Sequence, residues 1–163
     1  MVDLEFLRTV DVLEGLDDEQ LGVICENCLE KSFRKDAKIF SRGDTALHLC
    51  IVKQGRVDLR INLPGVPAAL PDHTIASLTK AATFQWSSLV KPHLTRLSSY
   101  SASDLCEIVM IHRESLLNIF ENDSRIGYTV MSNLAVIIGD RFTRLQEEAS
   151  NYLGDEIINS VNW

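Results

Sequence analysis

The spacing of apolar residues changes along the chain, and each change predicts a different kind of element. The N-terminal part has helical spacing, which predicts one short helix near the start and a second helix over residues 18–30. The short helix carries Leu4, Leu7 and Val10. Asp17 and Gln20 have the spacing of a capping box, which marks the start of the second helix. Both helices are expected to pack outside a sheet.

From residue 37 to residue 61 the period is two, as in β-strands. Gln54 and Gly55 separate two alternating runs and predict a turn, where glycine supplies a positive φ without strain. Alternation resumes over residues 74–78, and residues 96–103 and 105–111 are predicted to form two further strands. This makes at least seven short strands between flanking helices, which favours an antiparallel barrel or jelly roll. The segment NLPGVPAALPDH (residues 62–73) lies between the alternating run that ends at residue 61 and the one over residues 74–78. It is rich in proline, which predicts an exposed loop.

Helical spacing returns at residues 112–120 and again from Ser124 to about Glu148. The apolar stripe of the last helix is wider than packing on one neighbour requires. One edge is therefore expected to cover the β-structure and the other to contact a second subunit, giving a two-fold dimer through residues 124–148. A monomer whose last helix lies across the roll is the alternative. Gly139 lies within this helix and lowers its intrinsic stability by about 1 kcal/mol relative to alanine.

Residues 82–99, ATFQWSSLVKPHLTRLSS, lie between two β-patterned segments but have the pattern of neither a strand nor a tight turn. With AKIFSRGDTALHLCIVKQGRVDLRI before it and CEIVMIHRESLLNIF after it, this segment resembles the phosphate-binding cassette of the cyclic nucleotide-binding domain. That domain is the ligand module of catabolite activator-like regulators and of kinase regulatory subunits. The resemblance covers roughly residues 6–148.

The resemblance implies a mainly β fold with flanking helices. In detail, it implies a double-stranded β-helix, or jelly roll, with two N-terminal helices and a long C-terminal helix. The domain would span residues 1–148, with the roll at about 32–111 and helices over 112–148. Residues 149–163 would form a C-terminal helical extension.

The resemblance also implies where a ligand binds. A cyclic phosphate is held by amides of a short helix over residues 85–89 and by the guanidinium of Arg96, which keeps its charge when partly buried. Phe142 of the last helix is expected to close over the ligand. The implied ligand-binding residues are Arg96, Gln85, Trp86, Ser87, Ser88, Leu97 and Phe142.

Two residues depart from the family pattern. Members that bind cyclic AMP read close to F-G-E-L-A in the cassette, where the glutamate accepts the ribose hydroxyl; Trp86 stands at that position here. Losing a charged acceptor costs roughly 1.5–3 kcal/mol, or about ten- to a hundredfold in affinity. Leu97 replaces a small residue beside the phosphate. Trp86 either stacks on a different ligand or fills the cavity and leaves a ligand-free module.

The composition argues against several classes of function. The net charge of −7 and the pI near 5.0 argue against nucleic acid as a partner, and the last residues do not carry the helix-turn-helix that the family's transcription regulators add. No apolar run approaches the roughly 20 residues that span a bilayer, and the N-terminus does not resemble a signal peptide. The protein is expected to be cytoplasmic, with reduced cysteines and a structural role for the pair Cys25 and Cys28.

No catalytic motif is present, so an enzyme is not expected, and no cofactor or metal is predicted. His48 superficially resembles the first motif of the cupin metalloenzymes, but the second histidine and the carboxylate of that motif are missing. Two hypotheses remain. The chain is a regulatory sensor of a cyclic nucleotide or related small anion, or it is a ligand-free dimeric interaction module. In the sensor, the signal would pass to a separate downstream protein or to the other subunit.

Overall fold

Two short helices and a 3₁₀ turn open the chain. The computed structural model describes residues 2–62 and 72–161, with the backbone alone for 155–161. Helix α1 spans Leu4–Leu7, the 3₁₀ turn spans Asp11–Leu13, and helix α2 spans Asp18–Cys25. The predicted capping box is present, because the Gln20 amide donates to Asp17 at 3.0 Å and the Asp17 amide donates to the Gln20 side chain at 3.2 Å.

Helix α2 is shorter than the pattern predicts. It ends at Cys25, so the predicted extent to Glu30 is wrong, and Cys28 is the first residue of a strand. A strand forms here because Cys28 pairs in register with Ile111 on a neighbouring strand. A longer helix would lose this backbone pairing. Cys28 has helical spacing from Cys25, and this spacing misplaced the boundary.

Among the described residues, eight strands form the body of the fold and confirm the predicted antiparallel jelly roll. They lie in two four-stranded sheets, with orders β1-β8-β3-β6 and β2-β7-β4-β5. All pairs of neighbours are antiparallel. The strands are β1 Cys28–Arg34, β2 Lys38–Phe40, β3 His48–Gln54, β4 Val57–Ile61, β5 His73–Leu78, β6 Thr83–Phe84, β7 Ser98–Ser101 and β8 Leu105–His112.

The predicted turns and strands hold with small corrections. Gly55 has φ of 84° between β3 and β4, and a Cβ there would lie 2.5 Å from the Leu105 carbonyl oxygen, so the turn needs glycine. Strand β7 begins at Ser98 and ends at Ser101, so the predicted strand over 96–103 is too long at both ends. The first strand begins at Cys28, earlier than the predicted start of the roll near residue 32. The proline-rich segment lies outside the described residues except at its first residue and its last two, Asp72 and His73.

Strands β3 and β8 are buried on both faces and divide the core in two. Leu49 and Ile51 face a cluster formed with the N-terminal and C-terminal helices, while Cys50 and Val52 face the interior of the roll. Successive side chains of these strands therefore point alternately into the helical cluster and into the interior of the roll, and both environments are apolar. This explains why both sets of positions in β3 are apolar.

Two further helices complete the chain. Helix α3 spans Arg113–Asn122, capped by His112, whose Nδ1 accepts from the Glu114 amide at 3.3 Å. Helix α4 spans Ser124–Val161 and runs unbroken through Gly139. Ile126, Val130 and Leu134 anchor its first half in the helical core cluster. Among the residues described, no helix is long and apolar enough to cross a membrane.

Candidate functional site

Within the cassette, the backbone is unusual at Gln85, directly after β6. This residue has φ of 58° and ψ of 30°, the left-handed region in which glycine is most easily accommodated. It precedes a 3₁₀ turn over Trp86–Ser88, shorter than the predicted helix over 85–89. The Gln85 side chain is buried and donates to the Thr95 hydroxyl at 2.7 Å. This bond holds the two ends of the cassette together.

The second half of the cassette is fastened to the loop after β2. Thr95 exchanges backbone hydrogen bonds with this loop: its amide donates to Asp44 at 2.8 Å, and its carbonyl accepts from Gly43 at 2.9 Å. The His93 carbonyl accepts from the Ala46 amide at 2.8 Å. The Lys91–Pro92 peptide bond is cis. The cassette is thus a fixed insert tied at both ends.

A pocket of about 360 Å³ lies between the β4–β5 face of the roll, the cassette and helix α4. Its volume falls within the range of about 300–1,000 Å³ that is typical of small-molecule sites. Its walls are mostly apolar, with Ser77, two arginines and one glutamate as the polar groups. It is lined by Leu59, Ile75, Ala76, Ser77, Leu78, Trp86, Leu97, Ile138, Arg141, Phe142, Arg144, Leu145 and Glu148.

The structure brings three of the predicted site residues to this pocket: Trp86 and Leu97 are half-buried in its wall, and Phe142 lies on the α4 side. The other four lie elsewhere. Gln85, Ser87 and Ser88 are buried and do not line the pocket. Within the described part of the chain, the Ser88 hydroxyl has no hydrogen-bond partner.

Arg96 precedes β7 and is exposed, and it is not among the residues that line the pocket. No ion pair or side-chain hydrogen bond joins it to another described residue. The arginine that the family resemblance assigns to the phosphate therefore lies away from the pocket in this conformation. Its role in binding remains a prediction.

Arg141 of helix α4 takes a position at the pocket that the sequence analysis did not anticipate. Its Nη2 donates to the carbonyl oxygen of Thr83, the first residue of β6. Its Nη1 is buried and has no hydrogen-bond partner among the described residues. Burial lowers the pKa of Arg141, although the nearby Asp11 carboxylate acts in the opposite direction. A buried donor without a partner costs roughly 1–3 kcal/mol, so this nitrogen has a strong preference for an acceptor.

Thr83 joins this arginine to the N-terminal segment. It is fully buried, and both its amide, at 3.3 Å, and its hydroxyl donate to the Asp11 carboxylate. The Asp11 amide in turn donates to the Ala81 carbonyl at 3.4 Å. The 3₁₀ turn, strand β6 and helix α4 thus meet at one polar network beside the cassette.

A helical projection would have revealed Arg141. It follows Leu134 and Ile138 at spacings of seven and three residues, which places it on the face of α4 that turns toward the roll. An arginine on the inward face of an otherwise apolar stripe is a signal that an acceptor lies opposite. Arg144, three residues further, also lines the pocket.

The histidines and cysteines have ordinary surroundings. His48 and His112 are register partners on β3 and β8, with ring centroids 5.1 Å apart, whereas His73 lies on β5 and His93 in the cassette. The thiols of the C-x-x-C pair donate to backbone carbonyls at 3.3 Å each, and burial raises the pKa of Cys28 to about 12. Among the described residues, no group of three or more His, Cys, Asp or Glu side chains is placed to hold a metal ion.

Comparisons with known proteins agree with this fold. A protein from Geobacter metallireducens classed as cyclic nucleotide-binding is 29% identical, with a TM-score of 0.73 over 87% of this chain and 99% of its own. The catabolite activator protein of Thermus thermophilus is 22% identical, with a TM-score of 0.71 over 87% of this chain but only 62% of its own.

A third solved structure, the regulatory domain of Toxoplasma gondii protein kinase A with cyclic AMP, is 19% identical. Its TM-score is 0.60 over 91% of this chain and 49% of its own. No curated protein matches the chain significantly. The model of the cyclic nucleotide-binding domain matches residues 30–123, which is more than half of the chain. The chain therefore belongs to the cyclic nucleotide-binding domain family.

Proposed function

We propose that the chain is a non-catalytic regulatory module that senses a cyclic nucleotide or a related small anionic ligand in the pocket between the roll and α4. The observation that carries this proposal is the pocket itself. It has the volume of a small-molecule site, and one of its walls is a helix that reaches well beyond the roll. A ligand there would contact the roll, the cassette and α4 together.

The family and the residues of the pocket wall limit the class of ligand that we propose. The Toxoplasma relative binds cyclic AMP, and we extend a ligand of that class to this chain as part of the proposal. Trp86 stands where a cyclic AMP-binding cassette has a carboxylate, and its large aromatic side chain lines the pocket. Ligands with a planar group that stacks on this indole fit better than ligands that depend on a ribose hydroxyl.

The proposed mechanism uses the junction between α3 and α4. Gln20 donates to the Asp123 carboxylate at 3.2 Å, and Asp123 also accepts from the amides of Arg125 and Ile126 at the start of α4. Rotation about residues 122–127 would move α4 toward the ligand and let Phe142 cover it. A ligand changes this equilibrium only by binding the closed arrangement more tightly than the open one. The signal would then pass to a separate downstream protein.

A thermal unfolding series tests the proposal. We expect at least one of cyclic AMP, cyclic GMP and cyclic dinucleotides to raise the melting temperature in a saturable way, since a ligand at 100 times its Kd adds about 2.7 kcal/mol of stability. Ala76→Trp should fill the pocket and abolish the shift. Thr74→Trp is the matched control, because Thr74 is exposed on the same strand and does not line the pocket.

The same series separates the two hypotheses that the sequence left open. Absence of a shift with every ligand would favour a ligand-free interaction module. Arg96→Gln tests the predicted role of the cassette arginine, since a nucleotide shift that vanishes in this variant would mean that Arg96 turns inward on binding.

We further propose that α4 forms a two-fold coiled coil with a second copy of the chain. The face of α4 next to its buried side carries apolar residues at heptad spacing, and most of them are exposed; Tyr128 is 76%, Phe142 60% and Tyr152 65% accessible. A continuous exposed seam of this length is a surface that a partner helix covers. The seam consists of Tyr128, Met131, Ala135, Ile138, Phe142, Leu145, Ala149 and Tyr152.

Sedimentation measurements test the dimer. Met131→Glu places a charge in the seam and should shift the protein to monomers. Val136→Glu is the matched control, because Val136 is 63% exposed on the same helix but lies off the seam. Equal effects of the two variants, or a monomeric wild-type chain, would argue against this coiled coil.

A further inference from the structure

Positive charge at the pocket comes from helix α4 and not from the cassette. Arg141 and Arg144 both line the pocket, and both also line an adjoining polar cleft of about 510 Å³ between α4, the N-terminal turn and the end of β5. Glu148 is the acidic residue in the pocket wall, and no described ion pair joins it to either arginine. The two guanidiniums thus lie where the apolar pocket meets the polar cleft.

Arg141 has unused capacity to bind an acceptor. Its Nη2 is engaged by the Thr83 carbonyl, while its Nη1 is buried without a partner among the described residues. A planar guanidinium fixed through one nitrogen presents the other in a defined direction, which suits a carboxylate, sulfonate or phosphate oxygen. Arg144 is exposed and has no ion-pair partner in the described part of the chain.

The rest of the pocket selects for an apolar body. Trp86 and Leu97 line it from the cassette and Phe142 lines it from the helix, and Ser77 is the main neutral polar group in the wall. A ligand with many hydroxyl groups would leave them without partners against these walls, which is costly. A flat or elongated apolar group would not have this penalty.

We propose that the pocket takes an amphipathic organic anion, whose apolar body packs against Trp86, Leu97 and Phe142 and whose acidic group binds Arg141, with Arg144 at the mouth. This inference rests on the proposed sensor function and names its ligand class. It also assigns the charged contact to helix α4. The ligand's charge then acts directly on the helix that must move, so binding stabilises the docked position of α4.

A pair of fluorescent probes with the same aromatic skeleton tests the inference. The anion 1-anilinonaphthalene-8-sulfonate and the neutral N-phenyl-1-naphthylamine differ by the sulfonate. We expect the wild-type chain to bind the sulfonate about tenfold or more tightly than the neutral probe, as one charge-assisted hydrogen bond allows. Ala76→Trp should abolish binding of both probes, which locates them in the pocket.

Arginine variants then identify the contact. Arg141→Gln should weaken the sulfonate by about tenfold or more and leave the neutral probe within about twofold, so that the neutral probe verifies an intact pocket. Arg144→Gln should have a smaller effect in the same direction. Arg125→Gln is the matched control, being an exposed arginine near the start of the same helix. If Arg141→Gln loses both probes, Arg141→Lys decides: a retained preference for the sulfonate supports the inference, and a lost preference overturns it.

Failure of this inference differs from failure of the sensor function. Loss of sulfonate or nucleotide binding in Arg96→Gln, with full binding in Arg141→Gln, would overturn the assignment to Arg141 and leave the sensor intact. If neither probe nor any cyclic nucleotide shows binding that Ala76→Trp removes, the sensor function itself fails.

Discussion

The guanidinium of Arg141, on the long C-terminal helix, donates a hydrogen bond to the carbonyl oxygen of Thr83, three positions before the 3₁₀ turn of the cassette begins at Trp86. Thr83 is in turn held by Asp11 through its amide and hydroxyl. The Arg141 side chain therefore connects helix α4, which is expected to move, with the cassette, which is expected to bind the ligand.

Removing this side chain should loosen the contact between α4 and the roll. In Arg141→Met, the Thr83 carbonyl loses its donor, while the desolvation of a buried charge is relieved, so the net change in unfolding free energy should be small, about 1 kcal/mol. Local opening should change more than global stability. We expect hydrogen exchange over residues 134–148 to quicken. Arg125→Met is the control, and equal exchange in the two variants would show that Arg141 does not hold the helix.

The bond between Gln85 and Thr95 should be measurable as a coupling. Gln85→Met and Thr95→Val each leave one buried polar group unpaired, whereas the double variant leaves none. The two single changes should therefore sum to more than the double change, with a coupling of about 1 kcal/mol. Urea unfolding of the four proteins completes the cycle. Additive effects would mean that this bond does not hold the cassette.

Much of the fold could be predicted because its signals are local. The capping box at Asp17, the turn glycine Gly55 and the period-two runs each specify their structure through neighbouring residues. The boundary at Cys25 could not be predicted, because the pairing of Cys28 with Ile111 joins residues far apart in sequence. The helical spacing of Cys25 and Cys28 contains no information about a partner as distant in sequence as Ile111.

The site was harder to predict for the same reason. Trp86, Leu97 and Phe142 were predicted at the site and do line the pocket, since the cassette and the last helix carry a recognisable order along the chain. A helical projection places Arg141 on the inward face of α4, but it does not reveal the partner Thr83, which lies 58 residues earlier. The family pattern directed attention to Arg96, which is exposed just before β7.

His48, at the start of β3, predicts a pH dependence. Burial lowers the pKa of His48 below its usual 6.5, and His112 and Lys31 lower it further. The unfolded chain therefore binds more protons than the folded chain as pH falls below about 6.5, and folding stability should fall with it. His48→Gln should lose less stability than the wild type between about pH 7.5 and about pH 5.5 in urea titrations. His73→Gln, an exposed histidine on β5, is the matched substitution. Identical pH profiles for the wild type and His48→Gln would contradict this.

Two glycines on α4 offer a test of the junction with α3. Alanine at either position gains about 1 kcal/mol of helix propensity. A Cβ at Gly139 meets no atom within 4 Å, so Gly139→Ala should raise the unfolding free energy by about that amount. A Cβ at Gly127 would lie 2.9 Å from the Phe120 Cβ, and this overlap should cost about 1–3 kcal/mol, enough to cancel or reverse the gain.

The difference between the two variants isolates the contact at the junction, because helix propensity is common to both. Equal stabilisation would show that α3 and α4 are not closely packed at Phe120. Gly139 also flanks the exposed seam, so the comparison should be made at several protein concentrations. A Gly139→Ala gain that shrinks as the concentration rises would mean that a partner helix approaches this position closely in the dimer, since the added methyl group then meets the second subunit.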